Sequence, residues 1–184
     1  MSRIDELIDR LYPDGVEYRA LGEVGTFRRG SALQKKDFTR DGVPCLHYGQ
    51  VHTSFSIATT KSLTFVSRKF AKGKKMIHPG EVFIAVTSED DEGVGDAVAW
   101  LGQEDAVVGT DAYIYASEIL DAKYTSYFLD SSSFDKQKKG MLTGTKVRRI
   151  SDKTLSRIVI PIPPMEVQQE VVRVLDLHTA RRDF

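Results

Sequence analysis

The stretch GVPCLHYGQVHT, residues 42–53, carries side chains able to read a hydrogen-bonding surface: Tyr48, Gln50, His52 and Thr53. Their phenol, amide, imidazole and hydroxyl groups suit base edges in a DNA major groove, where the pattern of donors and acceptors differs between base pairs. Thr143 and Thr145, in MLTGTK, offer the same chemistry from a second loop. Cations able to hold phosphates stand near both stretches: Lys35, Lys36, Lys61, Lys72, Lys74 and Lys75 by the first, Lys138, Lys139, Lys146 and Arg148 by the second. Tyr48 and His52 fit equally well as partly buried packing residues.

Signals for catalysis are poor. In PDGVEYR, Asp14 and Glu17 stand too close together for a nuclease Pro-Asp followed by Glu-x-Lys, and Arg19 occupies the lysine position. The segment GVGDAVAWLG lacks the glycine spacing and following helix of a dinucleotide loop, and no Walker-type Gly-Lys-Ser/Thr occurs. The acidic run SEDDEG, residues 88–93, has neither alternating ligands nor the closing glutamate of a calcium loop and reads as a solvated turn. His47, His52, His78 and His178 do not group with Cys45 at zinc-ligand spacing. Neither a metal nor a cofactor is expected.

The formal net charge of zero hides a sorting along the chain. Residues 27–75 hold eleven Lys and Arg against two acids, residues 76–122 hold eleven acids and no Lys or Arg, and residues 123–157 hold nine Lys and Arg against three acids. A polyanion responds to the face it meets rather than to the total, so two basic segments could converge into one phosphate-binding surface. The alternative is a protein-interaction module that offers its basic face to an acidic partner.

The elements that must position these groups fit 184 residues, 41% of them hydrophobic, folded as one domain. A lone cysteine excludes an internal disulfide, and no apolar run approaches membrane-spanning length, so a cytoplasmic protein is expected. Ile4, Leu7, Ile8 and Leu11 share one helical face, stopped by Pro13 to Gly15. Residues up to Lys75 read as short strands and loops. HPGEVFIAVT, VGDAVAWLG, AVVGT and DAYIYAS read as successive strands, a sheet core between residues 80 and 116. Leu120, Tyr124, Phe128 and Phe134 fit one helix, and KQKKGMLTGTKVRRIS a basic loop after it. The expected class is α/β, or α+β: a mixed, β-rich sheet core with flanking helices.

Near the end, RIVIPIPPMEVQQEVVRVLDLH changes from apolar strand to amphipathic helix across two prolines. Pro161, Pro163 and Pro164 end the ladder, and Glu166 favours the positive end of the helix dipole. With GTKVRRIS before it, and with LGEVGTFRRG, GVPCLHYGQV and the central strands in the same order, this joint resembles the target recognition domain of specificity subunits in type I restriction-modification enzymes. The resemblance covers nearly the whole chain. It implies sequence-specific recognition of double-stranded DNA without catalysis, on behalf of methyltransferase and restriction subunits that form the endonuclease and DNA adenine methyltransferase. It also implies a recognition domain over residues 1–163 and the start of a spacer helix over residues 164–184. Val167, Val171, Val174, Leu175 and His178 would then form a stripe for a partner, or pack on their own domain. A complete subunit carries two recognition domains, so a second domain or a second copy is a further expected partner. A fragment, a half-subunit and a truncated product all fit this length.

Overall fold

The computed structural model describes residues 15–179 and Arg10. The helix expected on Ile4, Leu7, Ile8 and Leu11 lies outside the described residues, as do residues 180–184. Along the chain run β1 (Glu17–Ala20), α1 (Leu21–Val24), β2 (Thr26–Arg29), a 3-10 turn (Lys35–Asp37), β3 (Phe38–Thr39), β4 (Val43–Leu46), α2 (Tyr48–Thr53), β5 (Ala58–Thr59), β6 (Thr64–Val66), α3 (Arg68–Ala71) and β7 (Met76–Ile77). There follow β8 (Val82–Ala85), β9 (Thr87–Ser88), β10 (Ala97–Trp100), β11 (Ala106–Val108), β12 (Ala112–Ala116), α4 (Ala122–Leu129), α5 (Ser132–Lys138), β13 (Arg148–Arg149), α6 (Asp152–Leu155), β14 (Val159–Ile162) and α7 (Met165–Thr179).

Side-chain alternation along the strands sets the layers. In β8 and β12, Val82, Ile84, Tyr113 and Tyr115 enter one core, while Phe83, Ala85, Ala112 and Ile114 enter another. Both faces of the sheet β2-β12-β8-β10-β5 are therefore covered. One face meets α4 and the C-terminal elements. The other meets a second sheet, β3-β6-β4-β11-β7, through Leu46, Ala106 and Val108. The outward side of that second sheet, Cys45 and Val107, is capped by Leu33, Phe38, Phe70 and Met76. The result is the expected α+β fold with mixed sheets.

Two expectations change. AVVGT forms a strand, β11, but it pairs with β4 and β7 of the second sheet rather than with its sequence neighbours. The helix expected through Phe134 breaks into α4 and α5, because Ser131 turns its hydroxyl to the Phe134 amide and caps a new helix. That second helix takes Lys136 to Lys138 out of the expected basic loop.

The proline joint ends a strand pair that ties the two ends of the described chain together. β14 pairs antiparallel with β1, Pro161 standing opposite Tyr18. This two-stranded ribbon leaves an edge where a residue without an N–H is tolerated. The Pro164 carbonyl accepts from Val167 and Gln168, opening α7, which lies against α4. Asp176 accepts from Lys123 Nζ at 2.5 Å and from the Tyr127 hydroxyl at 2.7 Å. Burial opposes the Asp176 charge, but these donors outweigh it and hold the carboxyl below its usual range.

Val167 is buried in its own domain, which removes it from the partner stripe, and Val171 and Val172 pack on the main core. Val174 and Leu175 are half-buried, and Leu177 and His178 are exposed. A spacer seeking its partner elsewhere would tolerate Val171→Glu with Leu175→Glu. The observed packing predicts instead a loss of about 1–3 kcal/mol, from burying unpaired charge, measurable as a lower thermal midpoint. An unchanged midpoint would mean that α7 stands free in solution.

Candidate nucleic-acid interface

The residues after β4 form a short helix, α2, and that decides which of them face outward. Helical spacing turns Tyr48, Gly49, His52 and Thr53 to one side, and Gln50 and Val51 into the protein. Gln50 is 5% exposed, and its amide donates to the Thr64 hydroxyl at 2.8 Å, which in turn donates to the Cys45 carbonyl. It belongs to a buried network under β4 and β6, not to a base-reading surface. His52 also changes role. Its ring nitrogens face Asp96 at 2.7 Å and the Thr87 carbonyl at 3.3 Å, leaving neither for a base. Tyr48 is 44% exposed and stands edge-on to the His52 ring.

The second loop is a hairpin. β13 pairs with β9, and Thr143 folds back onto Arg149 through two backbone hydrogen bonds. Gly144 makes the turn at a φ of 92°, where a Cβ would stand 2.0 Å from the Val147 carbonyl oxygen. Thr143, Thr145, Lys146 and Val147 are exposed at the tip.

Two cations assigned to phosphates from the sequence are committed internally. Lys138 is 5% exposed and donates to the carbonyls of Glu92 at 2.9 Å and Val94 at 2.8 Å, with Asp135 at 3.0 Å. Arg148 is held by Asp91 and the Gly144 carbonyl. Both hold the acidic run SEDDEG in place, Lys138 through the Glu92 backbone carbonyl and Arg148 through the Asp91 carboxylate. Among the described residues no cluster could hold a metal ion.

Three hollows meet between these loops. The first, with Lys35, Phe38, His47 and Thr110, shares Tyr48 and Gly49 with a second, which holds His52, Thr53 and Val147. A third, of about 270 Å³, holds Arg29, Tyr113, Thr143 and Arg149, and shares Asp111 with the first and Thr87 with the second. The two predicted reading loops thus line three adjoining hollows, which together make a furrow.

A model of the type I restriction modification DNA specificity domain matches residues 13–183. The chain belongs to this family. Three solved structures show the same fold. A chain from a structure on complex assembly and conformational transition of the type I R-M system is 21% identical, with a TM-score of 0.65, covering 90% of this chain and 38% of that one. The HsdS subunit from Thermoanaerobacter tengcongensis is 20% identical, with a TM-score of 0.64, covering 97% and 42%. The type I S subunit from M. genitalium is 14% identical, with a TM-score of 0.58, covering 90% and 40%. The present chain thus spans about two fifths of each. A comparison with curated protein sequences finds no match.

Charge in this specificity domain is lopsided across the furrow. The second hollow is walled by Glu89, Asp90, Glu92, Asp96, Asp130 and Asp135. Burial, with Asp96 and Asp135 nearby, pushes the Asp130 carboxyl up. The first and third hollows carry the positive charge. Burial, aided by the Lys35 charge, pushes the His47 imidazole down, so that it stays neutral at neutral pH. Arg29 and Arg149 bring the two basic segments of the sequence together in one hollow. Neither was singled out from the sequence, although each lies in an Arg-Arg doublet, FRRG and VRRI. Next to Lys35, the halves of the first basic segment are joined: Arg28 donates to the Met76 carbonyl, Lys74 to that of Ala32, and the Lys75 amide to Ser31. Lys74 and Lys75 are thereby held against the segment that carries Lys35, with the Lys74 ammonium over the Phe70 ring.

Proposed function

We propose that this domain reads a sequence in double-stranded DNA as the specificity part of a type I restriction-modification assembly. It is itself non-catalytic and places methyltransferase and restriction subunits on their target. The observation that carries the reading is the convergence of Arg29 and Arg149, from two basic segments far apart in sequence, beside the exposed Thr143 and in a hollow that adjoins the one lined by Tyr48. Phosphate contact is assigned to Lys35, Lys36, Lys61, Lys72, Lys74, Lys75, Lys139 and Lys146, and base contact to Tyr48, Thr53, Thr143 and Thr145. The recognition domain is assigned to residues 1–163 and the start of the spacer to residues 164–184, which include α7. Its distal end, with Val174, Leu175 and His178, is the part left for partner subunits, a second recognition domain or a second copy of the chain. No helix among the described residues is long and apolar enough to cross a membrane, and the cytoplasm, where the DNA lies, is the proposed site of action.

The test is selection of bound duplexes from a random pool by the full chain. Enrichment of a defined motif is the expected result. Absence of both enrichment and duplex binding would overturn the reading.

A further inference from the structure

Asp111 is the one carboxylate among the described residues that line the two positively charged hollows. It lies on the turn where the chain crosses from β11 in one sheet to β12 in the other. The turn is pinned on both sides: the Gly109 amide donates to the Leu46 carbonyl, the Val86 amide to the Asp111 carbonyl, and Gly30 packs so closely that a Cβ would stand 1.9 Å from the Gly109 oxygen. A side chain on so fixed a backbone keeps its position when a ligand arrives. The carboxylate itself has no ion pair or hydrogen bond among the described residues. It lines the same hollow as Arg29 and Arg149, and Arg29 Nε is anchored on the Thr110 carbonyl at 3.1 Å, leaving its terminal nitrogens for other acceptors.

We propose that Asp111 is a specificity-determining residue that accepts a hydrogen bond from the exocyclic amine of a cytosine, while Arg29 or Arg149 donates to the guanine paired with it. This rests on the DNA-reading function proposed above. The chemistry favours a C·G pair for two reasons. Cytosine presents only its N4 amine as a major-groove hydrogen-bonding group, whereas adenine places the N7 acceptor beside its amine, where it would face the carboxylate oxygens. The guanine of the same pair presents O6 and N7, which match a guanidinium. A carboxylate and an arginine side by side therefore complement one C·G pair, and the carboxylate repels a phosphate that strays into the hollow.

Selections from a random duplex pool with the wild type, Asp111→Ala, Asp111→Asn and Arg149→Ala provide the test, with thermal unfolding of each variant as a folding control. The wild type should enrich a motif containing a C·G pair whose preference Asp111→Ala weakens by about 5- to 150-fold, other positions being kept. Asp111→Asn, close in shape and able both to donate and to accept, should shift that one position toward A·T. If Asp111→Ala does not fold, the near-isosteric Asp111→Asn decides alone. The same motif in wild type and both Asp111 variants would overturn the proposal, as would an equal loss of preference at every position in folded variants. A wild type that binds no duplex would overturn the DNA-reading function and this inference with it. A wild type that selects a motif insensitive to Asp111 would overturn the inference alone.

Discussion

Gln168→Ala should lower the thermal midpoint by about 6–12 °C, while the same change at the neighbouring Gln169 should leave it nearly unmoved. The two glutamines of the MEVQQ joint differ in surroundings, not in chemistry. Gln169 is exposed. Gln168 is 0% exposed, and its amide nitrogen donates to the carbonyls of Ile119 and Pro163, both at 2.9 Å, while its oxygen accepts from the Asp121 amide at 2.8 Å. Those three groups belong to the loop before α4 and to the strand exit before α7. One side chain therefore fixes the angle at which α7 leaves the domain. Removing it strands backbone groups away from water, each costing about 1–3 kcal/mol, so a total loss of ~3 kcal/mol is a modest expectation. Gln168→Glu should do no better, because a carboxylate cannot donate to the two carbonyls and would be buried as a charge. Midpoints for Gln168→Ala and Gln169→Ala that matched would mean that prolines and apolar packing alone set the joint.

That joint shows how far the sequence could be read. The change of period across Pro163 and Pro164 is local, so both the strand and the helix were legible, as were the central strands with their runs of Val, Ile and Ala. The pairing of β14 with β1 was not, because nothing in either segment names a partner some 140 residues away. The same distance problem governs the site. As types, Lys138, Arg148 and His52 are surface cations or readers. They lose that role through Glu92, Asp91 and Asp96, which lie more than forty residues away and meet them only in the fold. Gln50 was misplaced for a more local reason: the segment after β4 carries no marked helical period, and it is the helix Tyr48–Thr53 that turns Gln50 inward. Arg29 and Arg149 went unremarked because each looks like one more charge in a basic run. Only the meeting of β2 with β12, and of β13 with β9, shows them lining one hollow.

Duplex affinity should fall roughly 150-fold between 50 and 200 mM salt. This follows from a contact with about four phosphates, for which the log-log slope is near −3.6. The slope counts released counterions, so it reports phosphate contacts whatever the sequence bound. Glutamate at Lys35, Lys72 and Lys75 should therefore weaken binding to all duplexes alike and flatten the slope by up to about 0.9 for each phosphate no longer neutralised. Those residues lie on the segments 31–38 and 68–75, which are joined beside the furrow. Charge reversal at Glu104 is the opposite control. It sits in the exposed loop between β10 and β11, lines none of the three hollows, and should leave the slope unchanged. Lys138 is unsuitable for this experiment despite its charge. Its ammonium is spent on two carbonyls and Asp135, so reversing it would free the acidic turn and weaken binding by disordering the furrow wall rather than by uncovering a phosphate. A slope near zero would detach the basic furrow from DNA. A normal slope insensitive to Lys35, Lys72 and Lys75 but steepened on reversing Glu104, which adds a positive charge, would move the binding face to the loop between β10 and β11.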